Sequence, residues 1–300
     1  MSWLCSFRDG IERPTLLLRT EGYRIVTQTA PLDIRRIAGA MGAEIHGIDL
    51  GRDLTDATVA AIRHAFLNHL AIFFRDQTLS ATQFLAFART VGRPVEYPFV
   101  KGLDGFPEIT AVVKRADQTI AFGGNWHTDT TYFPAPPKAT MLMARVLPPH
   151  GGDTQFANQY LAFEALSDGM KALLSGLRWV SRSDKAEASR TREDRATAER
   201  TVLIADHPVV RTHPETGRKS LYINLAHTAH FLGMTAEESM PLLQFLFRHQ
   251  TRPEFTCRFR WTPGSIALWD NRCTLHSAIN DYNGFHREMH RITLAGDVPV

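Results

Sequence analysis

Three places in the sequence set a histidine two residues before an acid: His127-Thr128-Asp129, His213-Pro214-Glu215 and His286-Arg287-Glu288. Such a pair is a natural start for a metal centre. Residues i and i+2 of an extended chain face the same side, so an imidazole and a carboxylate are offered together. With 13 histidines and 31 acids in 300 residues, about one such triplet arises by chance, and the surroundings must separate them. His213 sits in a Pro/Gly turn, where a solvated histidine is expected. His286 follows Asn283-Gly284 and reads as the end of a loop. His127 stands in Gly123-Gly124-Asn125-Trp126-His127-Thr128-Asp129, where small residues permit close backbone approach to a ligand. A third ligand is available in Trp269-Asp270-Asn271-Arg272-Cys273-Thr274-Leu275-His276, which places His276 just beyond an apolar strand. Two histidines and one carboxylate occupy one face of an octahedral iron and leave positions for a co-substrate and oxygen. On spacing alone the plainer alternative, histidines satisfied in the core or at the surface, stays open. Cys273 near His276 suggests a thiol nucleophile, but a buried, inert cysteine is the better reading.

These residues need a scaffold, and the sequence outlines one. Ala43–Leu50 alternates polar and apolar as a half-buried strand does, with His46 on the polar, exposed phase. Val59, Ile62, Ala65 and Phe66 recur at helical spacing, and Ala71–Phe74 reads as a strand. Ser80 with Gln83, and Thr235 with Glu238, form capping boxes that open two further helices, the second running through Leu242, Leu243, Leu246 and Phe247. Strands are expected at Ile109–Val113, Ala139–Val146, Pro208–Thr212, Ser220–Asn224, Phe255–Trp261, Ser265–Trp269 and His290–Ala295. Short strands between Pro/Gly turns point to an α+β chain with a closed or sandwiched β core. Residues 1–30 show no sustained period and are expected to be a poorly ordered arm ahead of a single domain over 31–300. Residues 182–201 hold hardly an apolar side chain; a solvated helix or linker fits them, and a mobile lid is the alternative.

Taken together, His127-Thr128-Asp129, Gly151-Gly152-Asp153-Thr154, Trp269-Asp270-Asn271 running to His276, then Arg287 and Arg291, resemble the TauD/TfdA (taurine dioxygenase) family. The two arginines fall eleven and fifteen residues after His276, as in that family. The stretches His207–Pro214 and Arg258–Trp261 resemble it as well, and the resemblance runs from about Leu32 to the C-terminus. It implies a double-stranded β-helix (jelly-roll) core with flanking helices. It also implies a dioxygenase that uses Fe(II), 2-oxoglutarate and O2, with His127, Asp129 and His276 as iron ligands. Thr154 and Arg287 would clamp the distal carboxylate of 2-oxoglutarate, for which a planar guanidinium and a hydroxyl are suited donors. Arg291 would meet the anionic group of a small substrate, with a structural salt bridge as its alternative role. Tyr97, Asn125 and Trp126 would line the pocket, whereas Trp269 reads as a core aromatic. In such an enzyme, 2-oxoglutarate is decarboxylated to succinate while a substrate carbon is hydroxylated. Where that carbon bears a sulfonate, sulfate or aryloxy group, the product collapses to a carbonyl compound and a free anion.

The departures from the pattern narrow the substrate. Taurine-cleaving members carry a histidine where Pro94 stands here, with Val95 and Glu96 before Tyr97, and an asparagine where Gly123 stands. Glu238–Leu246 and Phe255–Arg258 resemble the aryloxyalkanoate-cleaving branch instead. The expected substrate is therefore a small anion, a sulfonate, sulfate ester or aryloxyalkanoate, rather than taurine. Asp129 argues against the halogenating variant, which lacks that carboxylate. Two alternatives remain: a zinc hydrolase on the same three ligands, and a non-catalytic jelly-roll binding protein. Neither needs a dicarboxylate clamp.

Composition excludes other classes. The chain is 44% hydrophobic and 22% charged, and its net charge is only +3. It is thus neither disordered nor a multi-span membrane protein, and no basic run suggests nucleic acid. Three scattered cysteines, Cys5, Cys257 and Cys273, argue against a disulfide scaffold and for a cytoplasmic setting. A homodimer or homotetramer is compatible with the family.

Overall fold

Strands buried on both faces must be apolar at every position, whereas strands facing water alternate. Ala71–Phe74 is such an apolar run, and the buried part of the strand from Ala139, residues 139–144, is one but for Thr140; both lie in the centre of the main sheet. The computed structural model describes residues 32–97, 99–185 and 201–300. The arm expected over 1–30 and most of the segment 182–201 lie outside them; within that segment, Ser183–Lys185 is a single 3-10 turn.

The main sheet has eight strands: β1 (Asp33–Arg36), β2 (Ala43–His46), β3 (Ala71–Phe74), β14 (Ile266–Asp270), β6 (Ala139–Val146), β16 (Arg287–Leu294) and β4 (Pro94–Val95) in spatial order, with β5 (Thr110–Lys114) also paired to β16. A second sheet sets β7 (Thr154–Asn158) between β13 (Thr256–Phe259) and β15 (Thr274–Ala278). A third places β8 (Arg178–Arg182) between β12 (Thr228–Phe231) and β9 (Ile204–Pro208), and β10 (Val210–Thr212) pairs with β11 (Lys219–Leu221) as a hairpin. The architecture is a jelly roll, as expected.

The alternation of side chains explains the layers. In β3, Ala71 and Phe73 point between the first two sheets, where Phe73 stacks on Phe259 with ring centroids 4.0 Å apart. Ile72 and Phe74 point the other way, onto α1 (Asp56–His69) and α2 (Ala81–Val91). The apolar period of α1 and the capping box of Ser80 and Gln83 that starts α2 are both present. A further cluster under the third sheet holds Trp179, Phe231, Leu243 and Leu246. It is covered by α4 (Asp168–Ser175), which follows the short α3 (Gln159–Glu164), and by α5 (Ala236–His249), opened by the Thr235–Glu238 box.

Three local expectations are corrected. The strand from Ala43 ends at His46, where Gly47 takes a left-handed turn, and His46 is half-buried beside Glu44 rather than exposed. The strand expected at Pro208–Thr212 is two, because β9 ends at Pro208 and β10 starts at Val210. His213 is not solvated but fully buried. Its Nδ1 accepts the backbone N–H groups of Glu215 and Thr216, and its Nε2 lies 3.1 Å from Asp270 Oδ2. A tight turn has backbone donors to satisfy and Asp270 has a charge to satisfy, and one imidazole does both.

Candidate active site

The site is built where the first two sheets approach each other. His127 and Asp129 do not lie on a strand proper. His127 makes one isolated bridge to His276 in β15: each donates its backbone N–H to the other's carbonyl, at 3.0 and 2.9 Å. Two histidines are thereby fixed opposite each other, with ring centroids 4.1 Å apart. Asp129 follows two residues on, and its Oδ1 lies 3.7 Å from Nε2 of both His127 and His276. The three ligand atoms are within 4.8 Å of one another and all three residues are buried.

Each donor is aimed. His127 Nδ1 donates to the Asn125 carbonyl at 2.7 Å, which leaves its Nε2 lone pair turned toward Asp129. Asp129 Oδ2 accepts from Thr140 Oγ1 at 2.5 Å and from Asn271 Nδ2 at 3.4 Å, so Oδ1 is the oxygen left for an ion. Asn271 is itself fixed by Trp269, whose indole donates to its Oδ1 at 3.0 Å. Burial keeps both imidazoles neutral, well below the ordinary histidine range for His276. Burial alone would raise the Asp129 carboxyl; Arg291 and then the two histidines more than offset it and hold it well below the carboxylate range. Two neutral imidazoles and one ionised carboxylate are the donor set that a divalent iron takes, so the residues fit that metal.

The cleft beside the triad has an empty volume of about 460 Å³, open mouth included. Thr154, Arg287 and Arg291 line it together with His127, Asp129 and His276, and Val112, Phe122, Leu142 and Trp269 supply apolar wall. Register explains the arginines: Arg287, Met289 and Arg291 are alternate residues of β16 and share its inward face. Arg287 is not in a loop; it starts β16, is 6% exposed, and its Nε and Nη2 have no hydrogen-bond partner. A buried guanidinium with two idle donors is a receptor for a carboxylate, and burial pushes its pKa below the usual value. Gly152, at φ +69°, passes close above: a Cβ there would lie 3.2 Å from Arg287 Nε. Thr154 Oγ1 accepts from the Trp261 indole at 3.0 Å, and its own proton remains to be donated.

The other expected residues are placed as follows. Arg291 Nη2 lies 2.8 Å from Asp129 Oδ1, without hydrogen-bond alignment, and its Cζ is 5.2 Å from the Tyr97 ring centroid. Asn125 has an exposed side chain and reaches the site through its carbonyl. Trp126 is half-buried. Trp269 is both a core aromatic and a wall of the cleft, its ring 4.7 Å from that of His276. Cys273 is buried and its thiol is pushed well up by burial, away from reactivity.

Sequence reasoning missed Thr140, Asn271 as a partner of Asp129, and the corner that joins β14 to β15. There Arg272 binds the Asp270 carboxylate through Nε and Nη2 at 2.8 and 2.7 Å, and reaches Glu215 at 2.5 Å. A row of Asp, Asn and Arg reads as a solvated turn; only the third dimension shows it sealed by His213.

Comparison with known proteins gives a family and several relatives. The family model for "Taurine catabolism dioxygenase TauD, TfdA family" matches residues 33–293. The chain is 38% identical to an alpha-ketoglutarate-dependent sulfate ester dioxygenase of Pseudomonas putida, covering 91% of this chain and 93% of that protein. It is 37% identical to an alkylsulfatase of Acinetobacter baylyi, covering 91% and 88%. It superposes on the crystal structure of a taurine dioxygenase from Burkholderia xenovorans with a TM-score of 0.78 and 40% identity, over 90% and 91% of the two chains.

Proposed function

The chain belongs to the TauD/TfdA family of dioxygenases, and from that premise we propose that it is a 2-oxoglutarate-dependent iron(II) dioxygenase acting on a small organic anion. The substrate classes are those of its relatives and of its pattern: sulfate esters first, then sulfonates and aryloxyalkanoates. The observation that carries the reading is Arg287, a buried cation with two idle donors beside a neutral His/His and ionised Asp set. A zinc hydrolase needs no such dicarboxylate clamp, and a protein that only binds an anion needs no metal donor set beside it.

On this reading His127, His276 and Asp129 Oδ1 hold the metal, which supplies the activation of oxygen and 2-oxoglutarate when bound. Arg287 and Thr154 receive the distal carboxylate of the co-substrate, Arg287 as a charged fork and Thr154 as a hydroxyl donor. Thr140 and Asn271 hold Oδ2 of Asp129 and so keep its other oxygen on the ion. Val112, Phe122, Leu142 and Trp269 keep water out and receive an apolar substrate body. Arg291 sits against Asp129 and Tyr97, where it can neutralise the carboxylate and turn toward a substrate anion; Tyr97 and the Asn125 loop complete that end.

The test is a visible spectrum of the protein with iron(II) under argon, before and after 2-oxoglutarate. A new metal-to-ligand charge-transfer band is the expected result, followed by succinate release with sulfate esters. A folded, iron-loaded protein that shows no band would remove the reading and bring the zinc alternative forward.

A further inference from the structure

Lys114 is the last residue of β5 and is paired directly with Arg287, the first of β16. Cross-strand partners put their side chains on the same face of a sheet, about 5 Å apart at Cβ. Both residues are buried, Lys114 at 3% exposure and Arg287 at 6%. The Lys114 ammonium has no hydrogen-bond partner, and neither do Nε and Nη2 of Arg287. Both cations rest on one ring: Lys114 Nζ is 4.7 Å, and Arg287 Cζ 5.9 Å, from the centroid of Tyr282. Among the described residues neither cation forms an ion pair; the nearby acid Asp153 is taken by Arg258 at 2.7 Å.

Like charges opposite each other on a sheet repel, and buried charges without a counter-ion are costly. One aromatic face attracts a cation but does not satisfy three ammonium donors. Two idle cations on one inward face therefore describe half of an ion pair whose other half is a ligand anion. We propose that Lys114 is a co-substrate-binding residue, which forms with Arg287 a two-cation receptor for the distal carboxylate of 2-oxoglutarate. This rests on the dioxygenase reading above and adds to it a second charge. The flexible four-carbon stem lets the ammonium turn from Tyr282 to the carboxylate, while the guanidinium fork fixes direction.

The experiment compares two acids of equal chain length, 2-oxoglutarate and 2-oxopentanoate, which lacks the distal carboxylate. Each is titrated calorimetrically into the iron(II)-loaded protein under argon. K114M should weaken 2-oxoglutarate by about tenfold or more and leave 2-oxopentanoate within about twofold, and K114R should restore most of the preference. K114Q gives the same comparison if K114M does not fold. Equal weakening of both acids, or no weakening of either, would overturn the assignment and leave Lys114 a strut on Tyr282. A wild-type protein that binds 2-oxopentanoate and 2-oxoglutarate alike would overturn it too. A wild-type protein that binds neither would instead strike at the dioxygenase reading itself.

Discussion

The residues around Asp129 divide one carboxylate between two tasks. Oδ2 is spent on Thr140 and Asn271, and Oδ1 faces the imidazoles. Asp129→Ala should therefore abolish iron(II) retention and succinate formation together; equilibrium dialysis against iron is the measurement, and retained metal would remove Asp129 from the ligand set. Arg287→Ala should raise the 2-oxoglutarate requirement by about a hundredfold, since the loss of a charge-assisted pair in a dry site is about 3 kcal/mol. An unaltered requirement would leave Arg287 without its role. At this scale the sequence was informative for one kind of residue. His127, Asp129, His276 and Arg287 stand at spacings that carry a family resemblance. Lys114 does not, because a lysine ending a strand ordinarily faces water; Asn271 lies within the resembling stretch, but its hold on Asp129 is made across 142 positions and no local signal shows it.

At the scale of elements, the corner 270–273 decides where His276 lands. Asp270 accepts from the Arg272 backbone and guanidinium and from His213, and these contacts bend β14 into β15. Burial raises the Asp270 carboxyl, but Arg272 and then His213 outweigh it and hold its pKa far below the ordinary value. A carboxyl lowered in the fold stabilises above its unfolded pKa of 3.8 and loses that contribution as pH falls below it. Asp270→Asn should cost about 3 kcal/mol, constant from about pH 5 to 8 and shrinking below about pH 4. Urea denaturation at stepped pH measures it, and a penalty that grew toward acid would contradict the pairing. The strands Ala71–Phe74 and Ala139–Val146 and both capping boxes were legible because largely apolar runs, and an N-cap hydroxyl with Gln83 or Glu238 three residues on, are local signals. β7 and β15 were not: Thr154-Gln-Phe-Ala-Asn158 and Thr274-Leu-His-Ser-Ala278 are short and partly polar, and they become strands by pairing with partners distant in sequence, β7 with both β13 and β15. His213 was misread for the same reason, since its burial depends on Asp270, distant in sequence.

For the whole molecule, the histidines make stability depend on acidity. Burial lowers His127, His276, His207 and, to about 3, His227. The unfolded chain takes up protons below 6.5 that the folded chain refuses, so stability falls as pH falls from 6.5, by about 1.4 kcal/mol per pH unit for each histidine. His227→Asn should flatten that slope by one histidine's share in metal-free protein between about pH 4.5 and 6.5; an unchanged slope would show that His227 titrates freely. The bridge between His127 and His276 has a consequence in time. These residues stand 149 positions apart, so the meeting of their backbones closes a very long loop. Contacts so distant in sequence form late. The donor set is therefore assembled by folding and not by iron: the ion should leave the refolding rate unchanged and slow only the unfolding, entering a finished socket and then locking it.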